Sequence, residues 1–144
     1  VLNRASGSRT ISVTPESIGL PAGSRFTAFD VEESSLRAGV AGIDLDMPPE
    51  SFRLLVVRTD PGVLWADVRL TPSGPLEWTF EAPPTVPGYI YLYAPGPARV
   101  VWDGAPLAAN VAGIAQPAFQ VEGSQGPLHI TFPAGGRHTL RIEP

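Results

Sequence analysis

"LEWTFEAPPTVPGYIYLYAPG", residues 76–96, decides between fold classes. In an extended chain Leu76, Trp78, Phe80 and Ala82 point to one side, and Glu77, Thr79 and Glu81 to the other. After a proline-rich break, Tyr89, Tyr91 and Tyr93 alternate with Ile90 and Leu92. Period-two alternation on both sides of a turn marks two half-buried β-strands rather than a helix. What the three tyrosines face then becomes the central question about function.

The same grammar runs outward in both directions. Seventeen prolines and 15 glycines separate short alternating segments, and no window holds a sustained 3.6-residue apolar period. The fold class expected is all-β: an antiparallel β-sandwich, as one unit or as two small packed sandwiches. Strands are expected at Arg9–Val13, Arg25–Val31, Gly42–Asp46, Phe52–Arg58, Leu64–Leu70 and Leu76–Glu81. Further strands are expected at Tyr89–Tyr93, Ala98–Trp102, Ala118–Glu122, Leu128–Phe132 and His138–Ile142. "FRLLVVR" is apolar on both sides from Leu54 to Val57, which predicts a central strand covered on both faces. Asp103-Gly104 has the composition of a two-residue hairpin turn, and "PAGGRH" that of a reversal between the last two strands. "TDPG", residues 59–62, marks a boundary between a segment 1–59 and a segment 63–144. Sixty residues is small for an independent core, so the first segment either lacks upstream strands or packs on the second. The start Val1-Leu2-Asn3, without a Met, reads as the end of a strand and is expected to belong to a longer polypeptide, with processing of a precursor as the alternative.

Composition narrows the function classes. With 43% hydrophobic and 17% charged residues, the 144-residue chain has material for a core and too little charge for a disordered tail. Its apolar runs fall short of a membrane span, and its first residues lack the charged-then-apolar order of a signal peptide. A net charge of −4 argues against nucleic acid as a partner, and the use of arginine for every Lys/Arg position reflects a GC-rich genome rather than a function. The absence of cysteine excludes disulfides, iron–sulfur clusters and thiol catalysis while leaving the compartment open.

No catalytic or cofactor motif emerges. Ser124 in "EGSQG" is the nearest thing to a nucleophile elbow, but Glu122 stands where the elbow needs its first glycine. His129 and His138 are too few for a three-histidine metal site, and alternation aims one outward and the other inward. Asp44 and Asp46 share a strand face about 7 Å apart, which suits a solvated face better than a carboxylate pair or a calcium site. Phosphate loops and dinucleotide fingerprints are missing. The chain is expected to be non-catalytic, with neither metal nor cofactor.

In chain order, "VLN", "RTISVTPESIGLPAGSRFTAFDVEE" and "LDMPPESFRLLVVR" resemble the C-terminal β-sandwich of α-galactosidase-like, TIM-barrel glycoside hydrolases. Asn3, Gly19-Leu20, Gly23, Phe26, Phe29-Asp30 and Arg53-Leu54-Leu55 carry the resemblance. Leu2 stands where phenylalanine is usual, Arg4 where tryptophan often sits, and Val31-Glu32 where Phe-Trp would follow. The second segment is similar to a β-rich extension of some bacterial members. The resemblance implies an accessory module whose main partner is an upstream catalytic domain of the same polypeptide. It carries over no catalytic residue, because the family keeps those on its barrel.

Carbohydrate is the second partner considered. Tyr89, Tyr91 and Tyr93, with Trp65 and its strand-mates Asp67 and Arg69, form the candidate glycan-contacting set: flat rings for sugar faces, polar groups for hydroxyls. Packing competes with this reading. The tyrosines would then fill the gap between sheets or meet a neighbouring segment, with Trp78 and Trp102 in the core. Three functions follow: an accessory module, a carbohydrate-binding module, or an adhesion domain sharing only the fold.

Overall fold

The computed structural model describes residues 1–94, 99–108, 118–121 and 127–143, the side chains of 118–121 and 127 excepted. The described residues are essentially all-β, built of antiparallel sheets in a sandwich-like arrangement. The chain divides into two compact units, Val1–Thr59 and Asp60–Pro144.

In the first unit the strands are β1 (Leu2–Asn3), β2 (Arg9–Val13), β3 (Phe26–Asp30), β4 (Ser35–Val40), β5 (Ile43–Met47), β6 (Ser51–Phe52) and β7 (Leu55–Arg58). They form a three-stranded sheet in the order β4-β3-β7 and two ribbons, β2-β5 and β1-β6. Alternation in β2 and β5 sends Val13, Ile43, Leu45 and Met47 into a core shared with Phe26 and Ala28 of β3. The opposite face of that ribbon is polar. Thr10 Oγ donates to Asp46 Oδ1 at 2.7 Å and Ser12 Oγ to Asp44 Oδ1 at 2.6 Å, so both aspartates belong to a cross-strand hydroxyl–carboxylate ladder at the surface.

"FRLLVVR" departs from expectation. It splits at Arg53-Leu54: Phe52 pairs with Leu2, while β7 pairs with β3 from the sheet's edge. The strand buried throughout is β3. The break has a physical cause in Arg53, whose Nη1 turns to Asp30 Oδ2 at 3.0 Å and also pairs with Glu33. Leu54 N–H meanwhile donates to Glu32 Oε2 at 2.8 Å. The Glu33 hydrogen bond, with Asp30 adding to it, raises the Arg53 pKa above its ordinary value; partial burial works the other way.

Asn3 is the unit's buried polar hub. Its Nδ2 donates to the carbonyls of Gly7 (3.1 Å), Met47 (3.2 Å) and Pro48 (2.7 Å), and its Oδ1 accepts the Ala5 N–H at 3.0 Å. Between β2 and β3 a single 3-10 turn, Glu16–Ile18, ends at Gly19, whose φ of 81° is a left-handed conformation that suits glycine. Hydrogen bonds from its own backbone N–H and then from Thr14 hold the Glu16 carboxyl below its usual pKa.

In the second unit the strands are β8 (Gly62–Ala66), β9 (Thr71–Gly74), β10 (Glu77–Glu81), β11 (Gly88–Tyr93), β12 (Arg99–Trp102), β13 (Ala105–Pro106), β14 (Ala118–Val121), β15 (Pro127–Phe132) and β16 (Arg137–Glu143). Two sheets result, β13-β12-β16-β10-β9 and β14-β15-β11-β8. One core unites them: Phe80, Val100, Trp102, Leu140 and Ile142 from the first sheet, and Ile90, Leu92, Leu128, Ile130 and Phe132 from the second. Phe80 packs edge-on to Trp102, ring centroids 5.4 Å apart, and lies 5.0 Å from Phe132. Trp102 is buried and Trp78 partly so, both against this core, as their strand positions predict.

Asp103 and Gly104 make the expected tight turn, both with positive φ (48° and 82°), closing the pair Trp102–Ala105. "PAGGRH" does not make a hairpin. It carries the chain from β15 in one sheet to β16 in the other, with Gly135 and Gly136 at φ of 80° and 97°. Gly135 N–H donates to the Pro83 carbonyl, and Ala82 N–H donates to that of Gly136.

Candidate functional site

The tyrosine row stands on the outer face of the four-stranded sheet. Along β11, Gly88, Ile90, Leu92 and then Ala94 are buried, while Tyr89 is 40% exposed and Tyr91 and Tyr93 are half-buried. Aliphatics, not tyrosines, fill the gap between the sheets. Of the two packing alternatives, this excludes rings in the gap and leaves a face that meets a neighbouring segment. Two of the three rings also meet protein on this outer face. Tyr91 stacks flat on His129 of the neighbouring strand, centroids 4.4 Å apart and planes 2° from parallel, and Tyr89 lies 5.2 Å from the same imidazole. One Tyr91 face is therefore already in contact with protein. His129, expected to be solvent-exposed, is half-buried between two tyrosines.

Trp65 lies across from Tyr91 on the other side, in register on β8. A bulge sets this register: Leu92 pairs with Val63 and Tyr91 with Trp65, leaving Leu64 as the extra residue. Val63, not Leu64, joins Ala66, Val68 and Leu70 against the core. The strand ends at Ala66. Asp67 is then tied to Tyr89 twice, its N–H donating to the Tyr89 carbonyl (3.1 Å) and its Oδ2 accepting the Tyr89 N–H (3.0 Å). Its carboxylate thus anchors the backbone of the tyrosine strand.

Arg69 leaves this group. It lines a separate cleft of about 350 Å³ with Thr71, Thr79, Phe80, Glu81 and Arg137. Of the six candidates, the structure gathers Tyr89, Tyr91, Tyr93 and Trp65 on one face, ties Asp67 to the Tyr89 backbone, and separates Arg69. The sequence reading missed Arg137, which it leaves in the "PAGGRH" turn, and Thr79, whose only signal is an outward position on an alternating strand.

His138 is the inner histidine its position predicts. Its Nδ1 lies 2.8 Å from Asp103 Oδ2 and its Nε2 3.0 Å from the Gly135 carbonyl, with the ring against Trp102 and Phe80. It buttresses a turn. Among the described residues no group of three or more His, Cys, Asp or Glu side chains is placed to hold a metal ion, and no helix is long and apolar enough to cross a membrane. Ser124 lies outside the described residues.

Comparison with protein-family models, curated proteins and solved structures found no match to this chain.

Proposed function

We propose that this chain is a non-catalytic accessory β-module of a glycoside hydrolase, supporting a catalytic barrel that belongs to the same polypeptide. The observation that supports the reading is a strip of exposed apolar side chains on the β1-β6 ribbon. Leu2 and Phe52 are direct cross-strand partners, so their side chains share a face, yet they are 49% and 66% exposed. Leu54 and Val1, nearby in the same ribbon region, are exposed as well. Neighbouring large apolar residues left in water mark surfaces that a partner covers. The residues that carry the family resemblance surround this strip: Asn3 follows Leu2, and Arg53 separates Phe52 from Leu54.

Glycan binding through the tyrosine row is the weaker reading, because His129 already covers a Tyr91 face that a sugar would need.

The test is thermal unfolding of the complete gene product carrying Phe52→Ser, beside the same substitution in the 144-residue chain. The expected result is a lowered barrel melting temperature in the complete product and little change in the isolated chain. Equal melting of the barrel with and without the substitution, or a reading frame that encodes no barrel, would overturn the proposal.

A further inference from the structure

We infer that the cleft on the outer face of the five-stranded sheet is a binding site for an acidic sugar, a uronate whose carboxylate meets Arg69 and Arg137. The inference does not depend on the parent-enzyme reading. It begins with register. Thr71 pairs with Thr79 and Thr79 with Thr139, which sets three threonines in a row across β9, β10 and β16. Two residues further along β10, Glu81 pairs with Arg137, while Arg69 comes alongside from the segment before β9. The result is a hydroxyl row next to an Arg–Glu–Arg row, with neighbouring strands about 4.8 Å apart.

The charges in this cleft are not satisfied internally. Among the described residues, no ion pair within 4 Å engages Arg69, Arg137 or Glu81, whereas Arg53 and Arg141 both have carboxylate partners. Two exposed guanidinium groups around one carboxylate leave a net positive cleft on a chain whose net charge is −4. Guanidinium forks match planar carboxylates in geometry and form charge-assisted hydrogen bonds.

Glu81 narrows the ligand class. Glu81 repels every anion, most strongly a multiply charged one such as phosphate that offers few hydroxyl donors in return. A ligand joining one negative charge to several hydroxyl donors uses the arginines for its charge and Glu81 and the threonines for its hydroxyls. A uronic acid has that pattern. The cleft volume of about 350 Å³ lies at the small end of ligand sites, roughly 300–1,000 Å³, and suits one ring of a longer chain.

The experiment is a calorimetric and NMR titration of the 144-residue protein with trigalacturonate, galactotriose and sodium sulfate. Saturable trigalacturonate binding is expected, weakened about tenfold by Arg137→Gln or Arg69→Gln. Glu81→Gln should weaken trigalacturonate and strengthen sulfate, a reversal that general loss of structure would not produce. No saturable uronate binding, undiminished binding in both arginine variants, or equal affinity for sulfate or galactotriose would overturn the assignment.

Discussion

Asn3 shows how one side chain can hold several pieces of backbone together. It is fully buried, and its amide serves three carbonyls and one N–H, closing the link between the first ribbon and the end of β5. Asn3→Ala would take a buried donor from the Met47 carbonyl, while the exposed Pro48 carbonyl keeps the Ser51 hydroxyl, at a cost of about 1–3 kcal/mol. Urea unfolding should show this as a lower midpoint at unchanged slope, and Asn3→Asp should fare no better, since a carboxylate cannot donate. Gly88 is a second such position. A Cβ there would run into the Phe132 ring of the paired strand. Gly88→Ala is expected to destabilise by about 1–3 kcal/mol through overpacking. Recovery of the melting temperature in the double variant with Phe132→Leu would confirm the cause.

At the scale of elements, strands whose alternation is written in their own side chains were legible: β2, β5, β10, β11 and β15 all lie where period-two patterning sets them. β4 and β9 were not. "SLRAGV" and "TPSG" carry no alternation, and each forms an edge strand whose extended state is imposed by the neighbour it pairs with. Pro72 is tolerated in β9 because only one side of an edge strand needs ladder hydrogen bonds. "FRLLVVR" was misread for the opposite reason. Its apolar pattern is strong, but the Arg53 ion pairs interrupt it, and a pairing across the chain does not appear in a window of one strand. The aromatic site divides in the same way. That Tyr89, Tyr91 and Tyr93 share a face followed from spacing, whereas the His129 stack and the Leu64 bulge depend on inter-strand register. Continuing one strand through residue 70 puts Arg69 with the tyrosines. The strand ends at Ala66, and the chain beyond it enters a different sheet.

At the scale of the molecule, each unit has its own core, and the chemistry at the surface is uneven. The second unit buries its main core between two sheets, leaves Val86 and Tyr89 exposed singly, and turns a polar Arg–Thr–Glu face outward. The first unit leaves Leu2 and Phe52 in water on a two-stranded ribbon, a costly arrangement unless another surface covers it. The proposed role therefore rests on what happens to that ribbon when the rest of the polypeptide is present. Amide hydrogen exchange, read by mass spectrometry over residues 1–8 and 48–56, addresses this directly. Under the proposal these peptides exchange more slowly in the complete gene product than in the 144-residue chain, while peptides from β11 and β15 are unchanged. Identical exchange of the ribbon in the two proteins would contradict it.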